Sequence, residues 1–152
     1  MGHPSKDLIE TEGALRTIIE ALIDDQEGFR QIGEAIQDET LKRYFLEESL
    51  KRAEFRGELE NILHQEGVRD IHETGSPAGA FLRLFTGLKT KLGSGLSALL
   101  ETAEDAEDET VEAYSDALEK FLPAPIREVL LRQAAHVEAS HEYVRAARDA
   151  SN

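Results

Sequence analysis

Acidic residues and one histidine of this sequence have a spacing that could hold a metal ion. Glu138 and His141 stand three residues apart, which on a helix places both side chains on one face. Bundles that bind two iron ions use such a Glu-x-x-His pair on each of two helices and a single Glu on each of the other two. The positions that fit this pattern are Glu27, Glu54, Glu107, Glu138 and His141. The second pair is incomplete, because Gly57 occupies the position three residues after Glu54.

Polar residues also interrupt the apolar stripes of the chain, which permits a structural interpretation without a metal. These interrupting residues are Asp25, Glu48, Arg52, Glu107 and Gln133. A buried charge without a partner is costly, so such a layer must be satisfied internally. Arg52 can take the place of a metal ion, because its guanidinium is always charged and offers five N–H donors to carboxylates. We predict that it pairs with Glu107, Asp25 or Glu48.

The two interpretations differ in what they predict for function. The ionic layer would fix helix register, and it is favoured because one ligand of the metal site is missing. The ionic-layer interpretation assigns no catalytic residue and no cofactor. It predicts a non-enzymatic interaction or stress-associated protein. The alternative is a carboxylate/histidine site of the di-iron type, for iron or another divalent metal. A third interpretation, in which these polar groups face water, stays open.

Hydrophobic periodicity predicts four long helices that position these residues. The predicted helices span residues 5–37, 39–65, 94–120 and 125–148. In the first helix apolar residues recur every seven positions, namely Leu8, Leu15, Leu22, Phe29 and Ile36. This repeat is typical of a stripe that faces the core of a helical bundle. Short polar or proline-containing turns join the first helix to the second and the third to the fourth, so each of these pairs must be antiparallel.

The connection between the second and third helices, residues 66–94, is much longer. It contains a predicted short amphipathic helix at residues 80–89 and can travel the length of the bundle, which would make the second and third helices parallel. The sequence therefore predicts a single all-α domain over residues 1–152, a ferritin-like up-down four-helix bundle with a long crossover. The apolar face of the crossover helix could support a homodimer. The sequence identifies no other protein partner.

Composition narrows the classes of function. The formal net charge is -14, and a field of that sign repels nucleic acids. The chain has no cysteine, which excludes disulfides, thiolate zinc sites and cysteine nucleophiles. No apolar run approaches the roughly 20 residues that span a bilayer, and the polar N-terminus lacks the apolar core of a signal peptide. We therefore predict a cytoplasmic protein with no transmembrane segment and no nucleic-acid partner.

Short motifs follow one another along the chain in a recognisable order. They lie at residues 24–30, 52–55, 58–59, 75–80, 106–108, 122–123, 132–133 and 145–149, with His141 just before the last. Together they resemble a bacterial ferritin-like four-helix-bundle family, the domain of unknown function DUF2383. The resemblance implies the bundle fold and, through the relation to ferritins, a metal site. Gln26 stands where the family usually has Glu, which weakens the expected metal site. Glu138 stands where the family often has Lys, which partly restores it.

Overall fold

The computed structural model of the protein describes residues 6–68 and 95–151. These residues form α1 (Lys6–Ala35), α2 (Glu39–Gln65), α3 (Leu96–Leu118) and α4 (Ala124–Ser151), and none of them lies in a strand. The prediction of an all-α four-helix bundle is confirmed, and each helix end lies within three residues of its predicted place. The predicted crossover helix at residues 80–89 lies outside the described residues. No described helix has the length and apolar character needed to cross a membrane.

Local capping explains where α2 begins and ends. The Asp38 side chain accepts a hydrogen bond from the backbone N–H of Leu41 at 2.9 Å, which satisfies a donor that the first helical turn leaves free. At the other end, Gly67 has a φ angle of 92°, a left-handed conformation that glycine adopts readily just after a helix. The short connection from Ala35 to Asp38 makes α1 and α2 antiparallel.

α1 and α2 approach each other closely at Gly33. A Cβ atom built on this glycine would lie 2.8 Å from Cδ2 of Leu46, which is shorter than the spacing of packed carbon atoms. Lys42 Nζ also donates to the Gly33 carbonyl at 2.8 Å. α1 packs closely on α3 as well, and α3 on α4. α2 and α4 meet instead through long side chains such as Tyr44 and His136.

Apolar side chains form two core clusters at opposite ends of the bundle. One cluster joins the first half of α1 to the second halves of α2 and α3, with Leu59 and Tyr114 among its members. The other joins the end of α1 to the beginnings of α2 and α3, with Phe45 and Leu100 among its members. The beginnings of α2 and α3 therefore lie at the same end of the bundle, and these two helices run parallel.

A polar layer separates the two clusters at the middle of the bundle. Along α1 the layer is reached at Asp25, after Leu22 of one cluster and before Phe29 of the other. Along α2 it is reached at Arg52, and along α3 at Glu107. All three charged residues are buried. The energetic cost of burying these charges depends on the charged and hydrogen-bonding groups around them.

Candidate functional site

Arg52 of α2 lies at the centre of the polar layer, and its side chain has 0% exposure. Its Nε donates to Glu48 Oε2 at 2.7 Å. Its Nη1 donates to Asp25 Oδ2 at 2.7 Å, and its Nη2 donates to Glu107 Oε1 at 2.5 Å. Glu48 belongs to α2 itself, Asp25 to α1 and Glu107 to α3. One planar guanidinium therefore ties three helices together at a fixed relative height, a geometry that lysine could not provide.

Two further side chains support this arrangement. The Thr110 hydroxyl of α3 donates to Asp25 Oδ2 at 2.6 Å, so one oxygen of Asp25 receives hydrogen bonds from both Arg52 and Thr110. The aromatic ring of Phe29 lies against the guanidinium, with Arg52 Cζ 5.0 Å from the ring centroid. The π face of an aromatic ring attracts a cation at this distance, so Phe29 stabilises the positive charge from the apolar side.

Glu48 links the buried layer to the surface between α2 and α4. Both of its carboxylate oxygens lie 3.0 Å from His136 Nε2. The His136 side chain is 36% exposed, whereas that of Glu48 is almost fully buried, so water reaches the network at the imidazole. The ring of Phe55 is perpendicular to the imidazole, at a centroid distance of 5.2 Å, and this packing fixes the orientation of His136.

α4 also reaches the layer through Ser140. The Tyr44 hydroxyl of α2 donates to Ser140 Oγ at 2.6 Å, and Tyr44 stacks on Tyr143 with the ring centroids 4.0 Å apart. Ser140 in turn is hydrogen-bonded to Glu107 of α3. All four helices therefore contribute side chains to one connected network.

The network contains more acidic groups than basic ones. Asp25, Glu48 and Glu107 surround the single guanidinium of Arg52. One oxygen of Asp25, Oδ1, and one of Glu107, Oε2, have no hydrogen-bond partner among the described residues although both are buried. The layer thus has an excess of negative charge and two carboxylate oxygens able to accept a proton.

Burial and the nearby charges together determine the protonation of this network. Burial raises the pKa of Asp25 to about 7, although Arg52 acts in the opposite direction. Burial also raises the pKa of Glu107, again against the effect of Arg52. For Arg52 itself, burial favours a lower pKa, but Glu107, Asp25 and Glu48 outweigh it and hold the pKa well above its usual value. The guanidinium therefore stays charged, while Asp25 binds a proton far more tightly than an exposed aspartate does.

Gln133 is buried on α4 but belongs to a neighbouring hydrogen-bond cluster. Tyr114 donates its hydroxyl hydrogen to Gln133 Oε1 at 2.7 Å, and Gln133 Nε2 donates to Glu58 Oε1 at 3.2 Å. Arg132 completes this cluster at the surface with an ion pair of 2.6 Å to Glu58. The structure therefore places Gln133 beside the Arg52 network rather than in it, because its amide is bonded to Tyr114 and Glu58.

Sequence reasoning missed three hydroxyl groups of the layer, those of Tyr44, Thr110 and Ser140. Thr110 stands three residues after Glu107, so helical spacing could have placed it on the same face. The signal is weak, because threonine and serine in a helix often bond only to the preceding turn of backbone. A partner on another helix could be assigned only once the relative heights of the helices were known.

The predicted metal ligands on α1 and α2 lie on the surface. Glu27 is exposed, and its Oε1 accepts a hydrogen bond from Gln31 Nε2 at 3.0 Å. Arg30 donates to the same carboxylate at 2.5 Å. Glu54 is exposed too, with Lys51 Nζ 3.4 Å from its Oε2. Both acids therefore face solvent and basic neighbours of their own helix rather than the centre of the bundle.

The predicted metal ligands on α3 and α4 do not meet either. Glu107 is bonded to Arg52, Glu138 is exposed, and His141 Nε2 pairs with Asp108 Oδ1 at 2.6 Å. Within residues 6–68 and 95–151, no group of three or more Asp, Glu or His side chains is arranged to hold a metal ion. The residues named from the sequence thus do not fit a di-iron site, and metal binding stays a prediction for elemental analysis.

Solvent does not reach the central charged groups of the layer. A general base or a nucleophile must come within hydrogen-bond reach of its substrate. Arg52, Asp25 and Glu107 have no exposed surface, and one oxygen of each carboxylate already accepts an N–H from Arg52. What the described geometry shows is a connection between α1, α2 and α3 through one buried guanidinium.

The centre of this layer lies in the part of the chain that is shared with a known family. The family model of a domain of unknown function, DUF2383, matches residues 10–120. The chain belongs to the DUF2383 family. This result confirms the family that the motifs indicated. Asp25, Arg52 and Glu107 lie inside the matched DUF2383 residues, whereas His136 and Ser140 lie beyond them on α4. No curated protein matches the chain.

Proposed function

We propose that this protein is a non-enzymatic, ferritin-like four-helix bundle that acts in the cytoplasm as an interaction or stress-associated structural protein. The observation that carries the proposal is the sealed guanidinium of Arg52, which is hydrogen-bonded to carboxylates of three helices. In this role the charged interior holds the helices in place, and the outer faces of the helices are available for binding.

Access to the layer supports a structural role. Asp25, Arg52 and Glu107 are buried ionisable groups with shifted pKa values, and groups of this kind are ordinarily the first candidates for a catalytic site. Here all three are closed off from solvent. Water meets the network at His136, whose imidazole is held by Glu48 and Phe55. A substrate that approached His136 would still be separated from Asp25 and Glu107 by Glu48 and Arg52.

The buried layer holds the helices in one register relative to one another. If one helix slipped by a single turn, its carboxylate would move by about 5.4 Å, and the hydrogen bond to Arg52 would be lost. Removing one partner from a buried ion pair costs about 3–5 kcal/mol, because the other charge is left unpaired. Slipped arrangements of α1, α2 and α3 are therefore strongly disfavoured, and the bundle keeps rigid outer faces.

Metal analysis tests this proposal against the di-iron alternative. The full chain is purified without chelator, incubated with ferrous iron, desalted and assayed for iron and for helical content. We expect a folded protein without stoichiometric metal. A di-iron bundle would retain about two ions per chain and would lose them in Glu107→Gln. Glu109→Gln is the matched control, because Glu109 is an exposed acid on the same helix. About two ions that depend on Glu107 and not on Glu109 would overturn the proposal.

A further inference from the structure

The outer face of α2 carries an exposed leucine among charged residues. Leu50 is 71% exposed, and it lines a shallow groove of about 290 Å³ together with Arg43, Leu46 and Glu47. Arg43, Glu47, Leu50 and Glu54 recur at intervals of three or four positions, and Leu46 stands four positions before Leu50, so all five lie on one side of the helix. We refer to these five residues as the α2 outer face. It lies on the opposite side of α2 from Arg52.

The α2 outer face has charges that complement one another when the face is paired with a copy of itself. Arg43 is exposed and makes no ion pair with any described residue. Glu54 is exposed as well, and its contact with Lys51 is a long one of 3.4 Å. In an antiparallel pair of α2 helices, Arg43 of each copy comes opposite Glu54 of the other, so a two-fold axis generates the ion pair twice.

The same register also pairs the apolar residues of the face. With Arg43 opposite Glu54, Leu50 of one copy comes opposite Glu47 of the other and one residue's rise, about 1.5 Å, from Leu46, where the groove is located. Leu46 packs closely on Gly33 of α1, so one wall of the groove rests on the neighbouring helix. One antiparallel arrangement of the helices therefore places both the leucines and the oppositely charged residues of the two copies next to each other.

We propose that the α2 outer face is a homodimer interface, at which two copies of the chain pack their α2 helices antiparallel with Leu50 against Leu46 and Arg43 against Glu54. The proposal deepens the interaction role proposed above and rests on it only for the use of an outer face in binding. The paired area is small and each chain has a formal net charge of -14. We expect a reversible dimer with a Kd of about 10–100 μM, at the weak end of specific interfaces.

Sedimentation velocity over a range of protein concentrations tests the interface with the full chain at physiological salt. The unchanged protein should shift from a mass of 16.9 kDa toward twice that mass. Leu50→Glu should abolish the shift. Arg43→Glu and Glu54→Arg should each raise the Kd roughly tenfold, because like charges then face each other. The double variant Arg43→Glu/Glu54→Arg should restore dimerisation, since the charges are exchanged but still complementary.

Leu131→Glu is the matched control, because Leu131 is a 49% exposed leucine on α4, away from the α2 outer face. It should leave the dimer intact. A chain that stays monomeric throughout, a dimer that Leu50→Glu leaves intact, or a double variant that stays weak would each overturn the proposal. If the unchanged protein is already monomeric and Leu50→Glu lowers its Tm, another part of the same chain covers this face, and the proposal is overturned. None of these variants touches Arg52, so failure here is distinguishable from failure of the metal analysis.

Discussion

Arg30 on α1 and Arg52 on α2 each bind more than one carboxylate at short distances, but in opposite surroundings. Arg30 lies 2.5 Å from Glu27 and 2.7 Å from Glu34, and its side chain is 47% exposed. Arg52 makes contacts of 2.5–2.7 Å to its carboxylates with 0% exposure. The contact distances alone would rank the two arginines as equals.

Solvent exposure separates the two arginines energetically. The carboxylates beside Arg30 keep their water if the arginine is removed, and the pairs themselves are weakened by screening and by the entropy of two mobile side chains. The carboxylates beside Arg52 have no such replacement. A buried charge that loses its partner must either remain uncompensated or take up a proton. The difference shows that burial, and not contact distance, makes an ion pair decisive for this bundle.

The largest expected effect is that of Arg52→Met. Methionine fills a similar volume but leaves Asp25, Glu48 and Glu107 without their cation, so we expect the free energy of unfolding to fall by about 3–5 kcal/mol. Chemical denaturation followed by circular dichroism measures this change. A loss below about 1 kcal/mol would place Arg52 in the same class as a surface arginine and would contradict the comparison.

A pH series has the next largest expected effect. The pKa of Asp25 is about 7 in the folded protein against an ordinary value of 3.8, so between these pH values the folded chain binds the proton more tightly than the unfolded chain. The stabilisation from this proton is fully present below the ordinary pKa and is lost as the pH rises through the folded value. We expect the free energy of unfolding to fall with rising pH by up to about 1.4 kcal/mol per unit in this window.

Asp25→Asn is the variant that isolates this pH effect. The asparagine carbonyl can still accept the hydrogen bonds of Arg52 and Thr110, but the side chain no longer titrates. Denaturation curves at constant ionic strength should show a smaller dependence on pH in the variant than in the unchanged protein. Equal slopes for the two proteins would mean that Asp25 does not hold the proton.

The smallest expected effect is that of Arg30→Met. Its two carboxylate partners are exposed, and exposed ion pairs contribute little in water. We expect no measurable change in the midpoint of thermal unfolding at physiological salt. If this variant were destabilised as strongly as Arg52→Met, the distinction between the buried and the exposed arginine would be lost.

The sequence predicted the helices and the centre of the layer for a simple physical reason. A charge on a seven-residue apolar stripe must be buried with a partner, so Asp25, Arg52 and Glu107 stand out against residues such as Leu22 and Phe29. The short turns then set the depth of each residue in its antiparallel pair. These local rules are enough to identify which helices meet and at about what height.

The contacts between helices could not be predicted in the same way. Gln133 is buried on α4, yet it bonds to Tyr114 and Glu58, because it lies at the height of the Leu59–Tyr114 cluster, seven residues before Ser140. Glu138 and His141 on α4 do have the Glu-x-x-His spacing, but His141 pairs with Asp108 of α3. Sequence spacing fixes the face of a single helix, whereas a shared site also requires the relative heights and rotations of several helices.

A double-mutant cycle on Arg52→Met and Glu107→Gln tests the central claim most directly, because it isolates the energy that couples two helices through the buried layer. Both single variants and the double variant are unfolded by denaturant under the same conditions. We predict that the effects are not additive, with a coupling of about 1–3 kcal/mol between the two residues. Additivity to within about 0.5 kcal/mol would show that Arg52 and Glu107 stabilise the bundle independently and would contradict the claim.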